Sequence, residues 1–131
     1  MPVSRLALIS VSAAMAVGAG AMPAAAQTGD AAKGKVVFAR CAICHTVQPG
    51  PNKIGPSLAG LFGRKAGTAP GFAYSPAMKT SKIVWNAKTV DGYVTRPAAT
   101  VPGTKMAFAG IANPADRANL IAYLATATKA R

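Results

Sequence analysis

Apolar positions along this chain fall into a few helical groups separated by long polar and proline-rich stretches. Between Asp30 and the run Cys41-Ala42-Ile43-Cys44-His45, Gly34, Phe38 and Cys41 recur at helical spacing, and Asp30 can cap the first turn. This predicts a first helix leading into the cysteine run. Ser75-Pro76 has the form of an N-cap followed by proline at the first helical position, which predicts a short second helix to about Ser81. Asn86 can cap a third, with Val90, Tyr93 and Val94 on one side and Pro97 as its stop. Asn113-Pro114-Ala115-Asp116 repeats the same logic for a last helix. Its apolar face is Leu120, Ile121 and Leu124, with Lys129 and Arg131 at the negative end of the dipole. No segment alternates cleanly with period two, so the chain is expected to be all-α. The stretch from Gln48 to Gly71 holds Pro49, Pro51, Pro56 and Pro70 and reads as loop. Loops this long sit badly in a small packed domain. They become reasonable when they wrap a large flat group in place of other helices.

The first residues follow a different pattern. Arg5 supplies a positive start, Leu6 to Ala21 is apolar and uncharged, and Ala24-Ala25-Ala26 precedes polar Gln27-Thr28-Gly29-Asp30. These are the parts of a cleavable secretory signal peptide, residues 1–26. The apolar run is short of the ~20 residues that span a bilayer, which disfavours an uncleaved anchor. The mature domain, residues 27–131, is then expected in the periplasm. About 105 residues lie near the low end for a self-sufficient core, and such a chain gains from a covalent staple.

Charge narrows the partners. The 131 residues hold 15 Lys and Arg against three acids, Asp30, Asp91 and Asp116, for a formal net charge of +12. A chain this basic is drawn to acidic protein surfaces or anionic lipid. Its basic residues are scattered, no nucleic-acid motif is present, and export removes it from DNA, so nucleic acid is not expected as a partner.

Cys41-Ala42-Ile43-Cys44-His45 is the pattern of covalent c-type haem attachment. Two sulfurs one helical turn apart can each bond one vinyl group of a porphyrin, and the next residue then offers its imidazole to the iron. A closed zinc site needs four ligands, and the chain has two cysteines and one histidine. A thioredoxin-like pair needs a neighbouring βαβ pattern, which is absent. Because His45 is the only histidine, bis-histidine ligation is excluded, and the sixth position belongs to a Met, a Lys or nothing. Past the signal there are two methionines. Met106 follows Pro102-Gly103-Thr104-Lys105, a turn that can aim a thioether inward. Met78 lies on a short helix and reads as packing. A His/Met pair favours Fe(II), raises the potential and fills both axial positions. Trp85 reads as a core aromatic with a polar handle.

With these residues in place the chain resembles class I cytochrome c, in its mitochondrial and bacterial c2-like branch. The resemblance runs from about Gly29 to Ala127. It rests on Cys41-Ala42-Ile43-Cys44-His45-Thr46-Val47, Gly55-Pro56-Ser57-Leu58, Gly63-Arg64-Lys65, Ala69-Pro70-Gly71-Phe72-Ala73-Tyr74 and Trp85-Asn86. It continues through Pro102-Gly103-Thr104-Lys105-Met106, Phe108-Ala109-Gly110 and Leu120-Ile121-Ala122-Tyr123-Leu124. It implies helices and long loops wrapped around one covalent haem c. It further implies that Met106 is the axial thioether and that the Pro56 carbonyl accepts the proximal imidazole N–H. Arg64, Tyr74 and Trp85 match positions around a buried haem propionate. Tyr93 and Thr104 match positions near the axial Met, and Phe108 the aromatic over the exposed haem edge. Gly34 and Phe38 match one side of a crossing of first and last helices, Leu120 and Tyr123 the other.

Departures from the family pattern are also visible. Met78 replaces a usual Asn that binds an internal water near the axial ligand, and a thioether does this poorly. Ala98, Ala99, Ala112 and Asn113 replace lysines of the mitochondrial branch. Lys35, Arg40, Lys53 and Lys105 remain as candidate rim cations. The expected function is single-electron carriage between respiratory or photosynthetic redox partners, by a monomer and without substrate chemistry. Those partners would present acidic docking surfaces: a cytochrome bc1-type complex, a terminal oxidase, a reaction centre or a dehydrogenase. Two other functions compete with this one: the dedicated acceptor of one periplasmic dehydrogenase, and a haem peroxidase or gas-binding cytochrome with a labile sixth ligand. The four-helix-bundle members of the last group carry their haem motif near the C-terminus, whereas here it lies near the mature N-terminus.

Overall fold

The computed structural model describes residues 28–129. The expected signal segment and Arg131 lie outside them. Five helices follow in order: α1 (Ala31–Phe38), α2 (Pro76–Thr80), α3 (Ala87–Thr95), α4 (Pro97–Thr100) and α5 (Pro114–Ala127). Among the described residues there is no strand, only an isolated antiparallel bridge between Lys65 and Val84. The 48–71 segment holds no helix.

All four expected caps are present. The Asp30 carboxylate accepts from the N–H groups of Ala32 (2.8 Å) and Lys33 (3.1 Å), and Ser75 Oγ accepts from Met78 N–H. Asn86 and Thr89 form a reciprocal capping box, and Asn113 Oδ1 accepts from Ala115 N–H at 2.8 Å.

Two boundaries differ from expectation. Regular helix α1 ends at Phe38, short of the cysteine run, because the chain tightens into three-residue turns. Arg40 N–H bonds the Val37 carbonyl, and Cys41 N–H that of Phe38. One further turn follows, in which the Cys41 carbonyl accepts from both Cys44 (3.0 Å) and His45 (2.8 Å) N–H. Pro97 does stop α3, but it also opens α4 as its first residue, since a proline lacks only an N–H that a first turn leaves unpaired anyway.

Helices α1 and α5 cross at backbone contact. A Cβ added to Gly34 would overlap the Asn119 carbonyl and lie 2.8 Å from Tyr123 Cβ, so only glycine permits the approach. Asp30 N–H donates to Asn119 Oδ1 at 2.8 Å, and the rings of Phe38 and Tyr123 stack tilted at 5.3 Å. Leu120, expected at the crossing, is 1 % exposed and also lines the central cavity, as does Leu124.

Candidate haem site

The helices and the long loop enclose a cavity of about 660 Å³ with a mostly apolar lining. All ten residues singled out in the sequence line it: Cys41, Cys44, His45, Pro56, Arg64, Tyr74, Trp85, Tyr93, Thr104 and Met106. They come from segments up to 65 residues apart, Cys41 to Met106.

His45 is the best-defined of them. Its Nδ1 lies 2.8 Å from the Pro56 carbonyl. A carbonyl can only accept, so Nδ1 carries the proton and the neutral ring keeps its Nε2 lone pair for a metal. Burial lowers the His45 pKa, with the Pro56 bond opposing and Lys53 adding to the effect, which favours the neutral, metal-binding form. Gly55 lies directly against the ring, where a Cβ would stand 2.5 Å from Cε1. Cys41 and Cys44 are free thiols, half-buried, the first one turn before the imidazole and the second immediately before it. Burial pushes the Cys41 thiol up to about 11, against the pull of Arg40.

Arg64 tests the fit of a haem. Its Nη1 donates to the Ala59 carbonyl (2.9 Å) and its Nη2 to the Ser57 carbonyl (3.3 Å), while its buried Nε–H has no partner. Among the described residues no carboxylate pairs with it. Asp30 caps α1, Asp91 pairs with Arg117 at 2.8 Å, and Asp116 lies in the first turn of α5. A half-buried guanidinium with an orphaned donor and no counter-ion is costly unless an anionic ligand supplies one. Tyr74 belongs to the same lining. Its oxygen accepts from Ala69 N–H at 3.1 Å, which leaves the hydroxyl proton to donate. A flat apolar group bearing carboxylates, with an iron for His45 and two sites for thiols, matches this donor set.

Met106 and Met78 both line the cavity. The Met106 turn is joined to α3 by a 2.9 Å hydrogen bond between the Tyr93 and Thr104 hydroxyls. Lys105 Nζ donates to the Ala73 carbonyl at 2.9 Å, and Gly103 backs onto Ala77 of α2. Met78, 7 % exposed, packs in the core as expected from its helix, yet it also borders the cavity. Arg40 and Lys105 border the cavity mouth, whereas Lys35 is exposed on α1 away from it.

Asn52 escaped the sequence reading. Its Nδ2 donates to the Pro70 carbonyl (3.0 Å) and its Oδ1 accepts from Ser57 N–H (2.9 Å), clamping two arms of the loop behind Pro56. An Asn among prolines signals only a turn, so nothing in its local pattern marked this role.

The chain is 52 % identical over 99 residues to cytochrome c2 of Rhodomicrobium vannielii, covering 75 % of this chain and 79 % of that one. It is 53 % identical over 97 residues to cytochrome c2 of Rhodoblastus acidophilus, covering 73 % and 91 %. It is 47 % identical over 105 residues to cytochrome c of Sesamum indicum, covering 79 % and 95 %. The sequence profile of the family described as Cytochrome c matches residues 31–128, and the chain belongs to that family.

Proposed function

We propose that Cys41 and Cys44 hold the haem as thioethers and that His45 and Met106 occupy the two axial positions of its iron. In keeping with its family, the protein is a monohaem electron carrier with one covalent haem c. The observation that carries the residue assignment is His45: an imidazole whose Nδ1 proton is spent on Pro56, directly after a pair of free thiols one turn apart, at the wall of an apolar cavity. When bound, the haem supplies an iron that exchanges one electron between its ferric and ferrous forms.

The chain's own residues set the conditions for that exchange. Pro56 and Gly55 hold the imidazole plane, by a hydrogen bond and by direct packing. The apolar lining excludes water. Arg64 and Tyr74 offer an N–H and an O–H to a propionate. Met106 would offer its thioether to the iron and so would close the position that a substrate or gas would need.

Cleavage of the signal near Ala26 delivers the domain to the periplasm as a monomer. Its partners there are redox proteins with acidic docking surfaces, and its charge gives a weak attraction to anionic membrane. No described helix is long and apolar enough to cross a membrane.

Acid–acetone extraction of the exported protein should leave the haem with the polypeptide. Haem recovered in the solvent would refute attachment through Cys41 and Cys44. The intact mass should fit a start near Gln27. Carbon monoxide should bind the reduced protein poorly, and fast tight binding would restore the peroxidase or gas-binding reading.

A further inference from the structure

Met106 sits at the middle of an arm whose two ends are pinned to neighbouring helices. At one end Val101 N–H bonds the Pro97 carbonyl of α4 at 2.9 Å, and at the other Ile111 N–H bonds the Val94 carbonyl of α3 at 2.8 Å. The half before Met106 has the Tyr93–Thr104 and Lys105–Ala73 ties described above. Among the described residues, the half after it has no hydrogen bond to the rest of the molecule until Ile111. Its one backbone bond, from Phe108 N–H to the Met106 carbonyl, stays within the arm. The direction of that half is therefore set by how its far end is held.

Three elements meet at the far end. Gly110 backs onto α3 so closely that a Cβ would stand 2.1 Å from the Thr95 carbonyl, and Ile111 is buried. From α5, Arg117 reaches across the same point. Its Nη1 donates to the carbonyls of Ile111 (3.0 Å) and Ala112 (2.9 Å), and its Nε donates to Asp91 Oδ1 of α3 (2.8 Å). These two side chains form the only ion pair among the described residues. The chain has three carboxylates against 15 Lys and Arg, and the other two, Asp30 and Asp116, lie at helix starts. One guanidinium thus joins α3, α5 and the end of the arm. The Arg117 side chain is 13 % exposed, and charge-assisted bonds shielded from water are among the stronger ties a side chain makes.

We propose that Arg117 is a positioning residue for Met106, and that Asp91 holds Arg117 in place for it. The pair fixes the end of the arm, and the fixed end keeps the thioether turned into the cavity. This rests on the reading of Met106 as the axial ligand. A thioether favours ferrous iron, so its bond to the ferric form is the weaker of the two and depends more on the arm. Freeing the end of the arm lets a small external base compete for the ferric iron.

The test is imidazole binding to the oxidised, haem-loaded protein, followed by loss of the near-infrared sulfur-to-iron band. Arg117→Met keeps an apolar stem and removes all three bonds. It should bind imidazole about tenfold more tightly than wild type. Asp91→Ala removes one bond and the counter-charge, and should tighten binding about threefold. Asp91→Asn keeps an acceptor for Nε and should stay near wild type. Asp30→Ala is the control for a general loss of stability, because it removes the cap of α1 and its carboxylate bonds only Ala32 and Lys33. It should leave imidazole binding unchanged. An Arg117→Met or Asp91→Ala protein that loses stability in guanidinium but binds imidazole as wild type does would overturn the proposal. An equal effect of Asp30→Ala would overturn it too. Should Arg117→Met not fold, Asp91→Ala decides. The ligand reading fails by a different sign, a sulfur band that survives Met106→Ala, and the proposal then falls with it.

Discussion

The wall that carries His45 is closed by backbone, whereas the wall that carries Met106 hangs from side chains. Behind His45, Gly55 N–H bonds Cys44, Leu58 N–H bonds Thr46 at 2.8 Å, and the Pro56 carbonyl meets the ring, all within about a dozen residues of chain. The Met106 turn has local bonds of its own, such as Thr104 N–H to the Val101 carbonyl at 3.0 Å. At the turn itself its ties to the rest of the molecule are a Tyr93–Thr104 hydroxyl pair, the Lys105–Ala73 contact across 32 residues, and the Gly103 seat on Ala77, and the segment returns to backbone pairing only at Ile111, whose N–H bonds the Val94 carbonyl at 2.8 Å. A wall held by few, partly exposed side-chain contacts opens at lower free energy than one held by buried backbone. The His45 side should therefore act as the fixed frame and the Met106 side as the part that yields first.

The largest effect should come from the ligand itself. Met106→Ala should abolish the weak near-infrared sulfur-to-iron band of the oxidised protein, and Met78→Leu should keep it. The reverse pattern would move the ligand to α2. A companion variant, Met78→Asn, should shift the potential with the band intact, because it brings an amide to a wall now lined by a thioether.

Next comes the frame. Gly55→Val should cost about 3 kcal/mol or more in guanidinium unfolding of the haem-loaded protein, because a side chain there must displace the His45 ring. A loss below about 1 kcal/mol would mean the frame gives as easily as the opposite wall.

Smaller changes probe the hanging wall. Thr104→Val leaves the buried Tyr93 hydroxyl without its partner and should cost about 1–3 kcal/mol. Adding Tyr93→Phe should recover most of that loss, since two apolar groups can replace a hydrogen-bonded pair at little cost. Additive losses in the double variant would show that the hydroxyls act separately.

The smallest expected effect is on pH dependence. Burial raises the Tyr93 pKa above 10.0, with the Thr104 bond pulling the other way. The folded state thus holds this proton more tightly than the unfolded state. The stability it contributes is complete below pH 10 and is lost as pH rises through the raised pKa. Tyr93→Phe should flatten the alkaline end of the stability curve, and an unchanged slope would assign that loss to another group.

The same division separates what could be read along the chain from what could not. Asp30, Ser75, Asn86 and Asn113 were legible as caps because a cap acts on backbone two or three residues away. Of the His45 frame, the Pro56 carbonyl was expected through the family resemblance alone, and the Gly55 contact with the ring and the backbone bonds behind it were not foreseen. Helix α4 was not, since a proline that ends one helix carries no mark of opening another. The early end of α1 depends on how the cysteine run meets the cavity. Lys105 was a candidate rim cation and does border the cavity, but that its ammonium is also engaged by Ala73 follows from no local pattern. Charge reversal there would loosen the Met106 turn as well as alter docking.

By itself the sequence determined the attachment motif, the single histidine, the two available thioethers and the excess of positive charge, because these depend only on which residues are present and at what short spacing. Only the tertiary structure decided that Arg64 keeps an unpartnered Nε–H at the cavity, and that Arg117 joins Asp91 to the end of the Met106 arm. It alone decided that Gly34 lets two helices touch at the backbone. Those outcomes depend on which distant segments close against each other. Local propensity reaches only a turn or so along the chain, while burial and pairing are set by neighbours dozens of residues away.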